Sequence, residues 1–263
     1  MKKPLVAGSL LLLVAPAISL AQTTFDGTWK ADLSTAQMPK KPDVFVLQDG
    51  MYHCKTCVPA IDVKADGQDQ SVSNHPYYDT VSIKVIDDNT IEETDKKNGK
   101  TVATSKTAVS PDGRTATFEF KDSSATNADP VVGKGESERV AKGPAGAHAI
   151  SGSWRTTKFE NISDNGITVT YKLVGDTLNM STPNGLSYSA RLDGTDSPYK
   201  GDPGTTSVSV KRLNKNVIEE TDKRDGKVIS VARMTLGSDG KTISVDFHDS
   251  LRDTGIKYVA KKQ

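Results

Sequence analysis

The sequence has little of what several classes of protein depend on. Its 263 residues include two cysteines, and 6% are aromatic. Two cysteines cannot form the disulfide framework of a small secreted scaffold, so the core must come from side-chain packing. The 34 basic residues are balanced by 33 acidic residues, which leaves no positive excess for nucleic acid. We therefore expect no nucleic-acid partner.

Long apolar runs are also missing after the N-terminus. Lys2 and Lys3 precede the apolar stretch Leu5–Val14, and Ser19-Leu20-Ala21 has the small-x-small pattern of a cleavage site. This combination predicts a secretory signal peptide over 1–21, with no membrane-spanning helix after its removal. We expect the mature chain to be exported, to the periplasm or beyond the cell, and to be a monomer.

An internal repeat is the strongest pattern in the chain. Residues 91–100 read IEETDKKNGK and residues 218–227 read IEETDKRDGK, an offset of 127 positions. The segment 143–149 has small residues and no periodicity, as in a linker. The pattern indicates an internal duplication into two tandem units, 22–142 and 150–263. We call these the first and second repeat.

Each repeat has the pattern of short strands separated by tight turns. Apolar and polar residues alternate over 81–85, 116–121 and 243–248, which is typical of antiparallel strands covered on one face. Asn98-Gly99 and Asp225-Gly226 occupy matching positions and favour type I′ hairpin turns. The sequence predicts an all-β fold of two antiparallel meander barrels, without an amphipathic helix of ten residues. A single larger barrel built from both repeats is the alternative.

Each repeat opens with a Gly-x-Trp motif, FDGTWK over 25–30 and ISGSWR over 150–155. This opening resembles the first strand of the calycins, the lipocalins and fatty-acid-binding proteins. The resemblance implies an up-and-down barrel with a ligand-holding interior, in which the tryptophan closes one end beneath a basic residue. Trp29 and Trp154 are therefore candidate ligand-binding residues. The alternative is that both are ordinary buried core residues.

The cysteine pair, Cys54 and Cys57, occurs only in the first repeat. A disulfide is the expected state in an exported protein. A metal site would need two further ligands, and a redox site would need the first cysteine at a helix N-terminus, so both are secondary alternatives. No metal-binding, phosphate-binding or catalytic-triad motif is present elsewhere, and we expect no metal and no cofactor.

The acidic strand of each repeat permits two interpretations. Glu92 and Glu93 point to opposite sides of a strand and cannot form a catalytic pair, whereas Glu93 and Asp95 share a face. A solvated strand with cross-strand ion pairs is one interpretation, and a polar barrel interior is the other. Lys106 and Arg233 correspond between the repeats. They are candidates to hold a ligand carboxylate from inside a barrel, or else surface residues that protect a sheet edge.

One loop concentrates functional groups, because His75, Tyr77, Tyr78 and Asp79 lie within five positions. The second repeat has no histidine or tyrosine at the matching place. Tyr77 and Tyr78 are candidate ligand-binding residues, and the whole group is the candidate site if the protein is an enzyme.

Three functions follow from these patterns. The first is a non-enzymatic, exported binding protein for a small, partly apolar ligand such as a lipid or fatty acid. The second is an envelope-associated module for protein–protein interaction. The third is an enzyme centred on His75, Tyr77, Tyr78 and Asp79.

Overall fold

The computed structural model describes residues 24–125 and 128–263. The expected signal peptide, 1–21, lies outside these residues. Within the described ranges, no helix is long and apolar enough to cross a bilayer. The helix α1 is four residues long, Asp164–Ile167, and strands make up most of the rest.

The strands run in chain order from β1 to β20. Their bounds are β1 Gly27–Gln37, β2 Asp43–Gln48, β3 Met51–Cys54, β4 Ile61–Lys64, β5 Gln70–Ser71, β6 Thr80–Asp87, β7 Thr90–Lys97, β8 Lys100–Val109, β9 Thr115–Asp122, β10 Val131–Lys142, β11 Gly152–Ile162, β12 Thr168–Val174, β13 Thr177–Ser181, β14 Ser187–Arg191, β15 Asp193–Lys200, β16 Ser207–Asn214, β17 Val217–Arg224, β18 Lys227–Leu236, β19 Thr242–Asp249 and β20 Thr254–Lys262.

These strands form two antiparallel, ten-stranded sheets, which confirms the all-β prediction. Strands β2–β11 form the first barrel, and β1 with β12–β20 forms the second barrel, which is closed. The first barrel is nearly closed: its edge strands, β4 and β5, do not pair with each other. In the second barrel the matching strands β14 and β15 are paired through Tyr188 and Tyr199. The single-barrel alternative is therefore wrong.

The two repeats exchange their first strands. β1 belongs to the first repeat but pairs with β12 and β20 of the second barrel. β11 opens the second repeat but pairs with β10 and β2 of the first barrel. The barrels thus divide the chain differently from the expected boundaries 22–142 and 150–263. A proline at each end of the segment 39–42 favours extended backbone, which carries the chain from one barrel to the other instead of into a hairpin.

Strand alternation and turn geometry explain why the chain folds in this way. Val81 and Ile83 in β6, like Val208 and Val210 in β16, are fully buried, while Ser209 between the last two is half-buried and Ser82 between the first two is buried. Asn98-Gly99 has positive φ angles of 51° and 75°, and Asp225-Gly226 has 50° and 78°. Two successive positive φ angles define a type I′ turn, so this prediction is confirmed at both hairpins.

Two separate hydrophobic cores result, one inside each barrel. Because of the strand exchange, Trp29 packs in the core of the second barrel and Trp154 in that of the first. The expected linker, 143–149, is held against the first barrel: His148 N–H donates to the Leu47 carbonyl, and the Ala149 carbonyl accepts from Arg139.

Candidate functional site

Each tryptophan is buried in the core of one barrel. Trp29 Nε1 donates to the Phe25 carbonyl at 2.8 Å, and Trp154 Nε1 donates to the Ile150 carbonyl at 2.7 Å. The Arg139 guanidinium lies 4.0 Å from the Trp154 ring centroid, at cation–π distance. The Lys262 ammonium lies 5.2 Å from that of Trp29. In each barrel a basic side chain thus lies over the ring of the buried tryptophan.

A cavity of about 530 Å³ lies inside the first barrel. This volume falls in the usual range of small-molecule sites, roughly 300–1,000 Å³. Aromatic rings form much of its wall, and carboxyl, hydroxyl and imidazole groups form the rest. Its lining includes Phe45, Tyr52, His75, Tyr78, Glu93, Phe118, Trp154 and Phe159.

The second barrel is more completely filled. Its interior cavity measures about 180 Å³, a third of the volume in the first barrel. The difference follows from side chains at matching register positions. At two matching positions the second barrel has the larger residue, Met234 for Thr107 and Ile243 for Ala116, while Tyr258 in place of Gly135 is accompanied by Val245 in place of Phe118.

Gly135 is required by the packing of the first barrel. A β-carbon added there would lie 2.3 Å from the Phe118 ring and 2.8 Å from the Lys158 carbonyl oxygen. No side chain can therefore be accommodated at this position. The Phe118 ring therefore lies against Gly135, whereas in the second barrel Val245 and Tyr258 occupy the two matching positions.

An acid pair faces the interior of each barrel. Glu93 and Asp95 of β7 pair in register with Ile83 and Val81, whose side chains are fully buried, and so share the core face. This decides between the two interpretations of the acidic strand in favour of a polar interior. Burial and the neighbouring Asp95 raise the pKa of Glu93 to about 8. Burial and Asp122 raise the pKa of Asp95 to about 7.

The matching pair in the second barrel, Glu220 and Asp222, has hydrogen-bond donors. Tyr188 Oη donates to Glu220 at 2.5 Å, and Ser230 Oγ donates to Asp222 at 2.7 Å. Burial still raises the pKa of Glu220 to about 8, although the bond from Tyr188 opposes that shift. The hydroxyl groups of Tyr188 and Ser230 thus hold the two acids of the second barrel. Of the carboxyl oxygens in this pair, Asp222 Oδ1 is the one that is buried without a partner among the described residues.

Neither donor is present in the first barrel. At the repeat offset of 127, Ile61 stands in place of Tyr188 and Ala103 in place of Ser230. Ile61 is buried like Tyr188, and Ala103 pairs in register with Asp95 just as Ser230 pairs with Asp222. Among the described residues neither acid of the first barrel accepts a side-chain hydrogen bond, although Ser105 pairs in register with Glu93 and lines the cavity with it.

A second chamber, of about 370 Å³, lies beside Asp95 where the two repeats meet. Tyr78 lines both this outer chamber and the barrel cavity. None of the described residues that line the outer chamber is Lys or Arg. Four carboxyl groups line it, those of Asp95, Asp122, Asp129 and Asp202. The charged residue types that line the outer chamber are thus all acidic.

Lys106 and Arg233 point away from the interiors. Lys106 lies 3.9 Å from Glu92, and Arg233 lies 2.7 Å from Glu219, with both basic side chains more than half exposed. Each belongs to a row of alternating charges on the outer barrel surface. The interpretation that they hold a ligand carboxylate inside a barrel is therefore wrong, because neighbouring strand residues face opposite sides.

The loop residues 75–79 do not converge on one point. The buried His75 ring stacks on Tyr78 at 4.6 Å, and both line the barrel cavity. Tyr77 packs against Gly204 of the second repeat, while Asp79 accepts a hydrogen bond from the backbone of Asn98. Of this group, Tyr78 is placed to touch a ligand in the barrel, and Tyr77 lies in the outer chamber.

Cys54 and Cys57 form a disulfide, which confirms the expected pairing. Both sulfur-bearing residues border the first-barrel cavity. Among the described residues, no group of three or more His, Cys, Asp or Glu side chains is arranged to hold a metal ion.

Sequence reasoning did not single out the cavity walls of the first barrel as different from those of the second. The signal was present at the positions where the repeats differ, above all Ile61 against Tyr188 and Ala103 against Ser230. Aligning the repeats and asking which internal hydrogen bonds each could form would have found it.

No protein-family model matches this chain, and no curated protein matches it.

Proposed function

We propose that this is an exported, non-enzymatic binding protein whose first barrel holds a small, partly apolar ligand. The cavity of about 530 Å³ carries the proposal, because its wall combines aromatic rings with a few polar groups. Such a mixture is typical of ligand sites, in which apolar area supplies affinity and polar groups fix orientation.

The contrast between the barrels supports the same function. The second barrel has the same strand plan but larger side chains in its interior, so it stabilises the protein without leaving comparable space. The disulfide beside the first cavity is in keeping with an oxidising, exported location. The resemblance to calycins, which carry ligands inside barrels, remains part of the proposal.

Filling the cavity tests the proposal. The double variant Thr107→Met with Ala116→Ile introduces two residues that the second barrel has at matching positions. We expect the wild-type protein to bind the neutral apolar dye Nile red with saturable fluorescence enhancement, and the filled variant to lose at least about 90% of it, since side chains then occupy the apolar volume.

Lys106→Met is the matched control, because Lys106 neighbours Thr107 but points outward. It should bind Nile red like the wild type. Equal dye binding by the filled variant, with its fold verified by circular dichroism, would contradict the proposed site.

A further inference from the structure

The acid pair of the first barrel lacks a cationic or hydrogen-bonding partner. Within the described residues Glu93 accepts no hydrogen bond, and Asp95 Oδ1 is buried without a partner. Buried carboxyl groups are normally paired or hydrogen-bonded, because an unpartnered buried acceptor destabilises the folded state. In the second barrel Tyr188 and Ser230 each donate to one acid of the matching pair, which leaves Asp222 Oδ1 as its buried oxygen without a partner among the described residues.

The other groups that face this pair carry no free positive charge. Burial raises the pKa of Tyr52 and Tyr78, so both phenols stay neutral. Burial lowers the pKa of His75, which keeps the imidazole neutral at pH 7. Among the described residues that line the cavity, Arg252 is the one Lys or Arg side chain. Its guanidinium forms an ion pair with Asp43.

The electrostatic field outside the cavity has the same sign. Asp122, Asp129 and Asp202 line the outer chamber beside Asp95, and Tyr78 borders both this chamber and the cavity. A chamber lined by charges of one sign attracts ligands of the opposite sign and repels those of its own sign. These aspartates therefore disfavour a fatty-acid carboxylate near the acid pair and favour a cation.

We infer that the first barrel selects ligands with a protonated amine on an apolar body, the ammonium group contacting Glu93 and Asp95 and the apolar body packing against Trp154 and Phe118. This inference rests on the proposed function and specifies its ligand class. An ammonium supplies the N–H donors that the two carboxyl groups lack, in charge-assisted hydrogen bonds. Aromatic rings in the wall add favourable contacts for a cation as well as for carbon chains.

Proton release should accompany amine binding. In the empty barrel, raised pKa values of about 8 for Glu93 and about 7 for Asp95 keep protons on the pair near neutral pH. A bound ammonium favours the ionised carboxylates. A carboxyl O–H bond then breaks, its proton passes to the buffer, and the ammonium keeps its own protons.

Three probes with the same ten-carbon chain separate charge from apolar contact: decylamine, decanol and decanoate. Calorimetric titration of the mature protein at pH 7 should show decylamine binding about tenfold or more tightly than either of the others, because hydrogen bonds to charged groups contribute about 1.5–3 kcal/mol each. Titrations in two buffers of different ionisation enthalpy should reveal protons released with the amine alone.

Glu93→Gln should weaken decylamine binding about tenfold or more, and should leave decanol binding within about twofold. Glu220→Gln, the matched change in the second barrel, should leave all three affinities unchanged. Similar affinities for the three probes, or tightest binding of decanoate, would overturn the inference and leave the proposed function standing. Failure of all three probes to bind would contradict the proposed function, and the inference with it.

Discussion

The two barrels follow one strand plan and use their interiors differently. Each has a buried tryptophan under a basic side chain, and each has a Glu–x–Asp pair on its inner face. In the second barrel Tyr188 and Ser230 donate to that pair and larger side chains occupy the interior. In the first, the donors are missing and about 530 Å³ remains open. The comparison shows that a few inward positions decide whether such a barrel is a container or a filled core.

The comparison also depends on which strand belongs to which barrel. Each barrel contains the Gly-x-Trp strand of the other repeat, so the ends of the two cavities are built by exchanged segments. A substitution in the first strand of one repeat should therefore destabilise the barrel that is formed mainly by the other repeat.

The largest expected effect comes from Trp29→Ala. Trp29 is fully buried in the second barrel, and replacing a core tryptophan by alanine typically costs about 3–5 kcal/mol of unfolding free energy. Hydrogen exchange measured by mass spectrometry should show faster exchange in β12–β20 than in wild type, with much smaller changes in β2–β10 of its own repeat.

The reciprocal variant, Trp154→Ala, should loosen β2–β10 and spare β12–β20. Loss of protection confined to the mutated repeat in both variants would show that the strands are not exchanged.

Much of this fold could be predicted from the sequence, because strand alternation and type I′ turn dipeptides are local signals. Residues 98–99 and 225–226 form the predicted turns, and the acidic strands lie where alternation places them. The strand exchange could not be predicted, because β1 would form the same backbone hydrogen bonds in either barrel. Only the path of the segment 38–42 distinguishes the exchanged arrangement from the one without exchange.

The candidate site was predicted only in part. Trp154 and Tyr78 line the cavity, whereas Lys106 and Arg233 face outward in charge rows. Val102 and Ile229 share the outward phase of Lys106 and Arg233 along β8 and β18, whereas the buried core residues Val109 and Leu236 lie on the opposite face.

The next prediction concerns the hydrogen bonds that distinguish the acid pairs. Tyr188→Phe removes the donor to Glu220 and should lower the unfolding free energy by about 1–3 kcal/mol, the cost of leaving a buried acceptor unsatisfied. Denaturant unfolding at pH 7 measures this loss. The control Tyr171→Phe removes a hydroxyl that meets the Met234 sulfur, a weak acceptor, and should cost less. Equal losses in the two variants would mean that the bond to Glu220 does not stabilise the second barrel.

The last prediction concerns the dependence of stability on pH. Because burial raises the pKa of Glu93 from 4.5 to about 8, the folded state binds more protons than the unfolded state between these values. Its contribution to stability is therefore complete below about pH 4.5 and is lost as the pH rises through 8, with a slope of up to about 1.4 kcal/mol per pH unit for one proton. Glu93→Gln should flatten the decline between pH 5 and 8. An unchanged slope in this variant would show that Glu93 titrates as a solvated group.

The most direct test of the account is to locate a bound ligand by NMR. Methyl resonances of isoleucines report on both interiors, with Ile91 and Ile150 in the first barrel and Ile218 and Ile243 in the second. On titration with the tightest-binding of the three ten-carbon probes, the account predicts shifts at Ile91 and Ile150 and none of similar size at Ile218 and Ile243. Equal shifts in both barrels, or shifts in the second barrel alone, would contradict it.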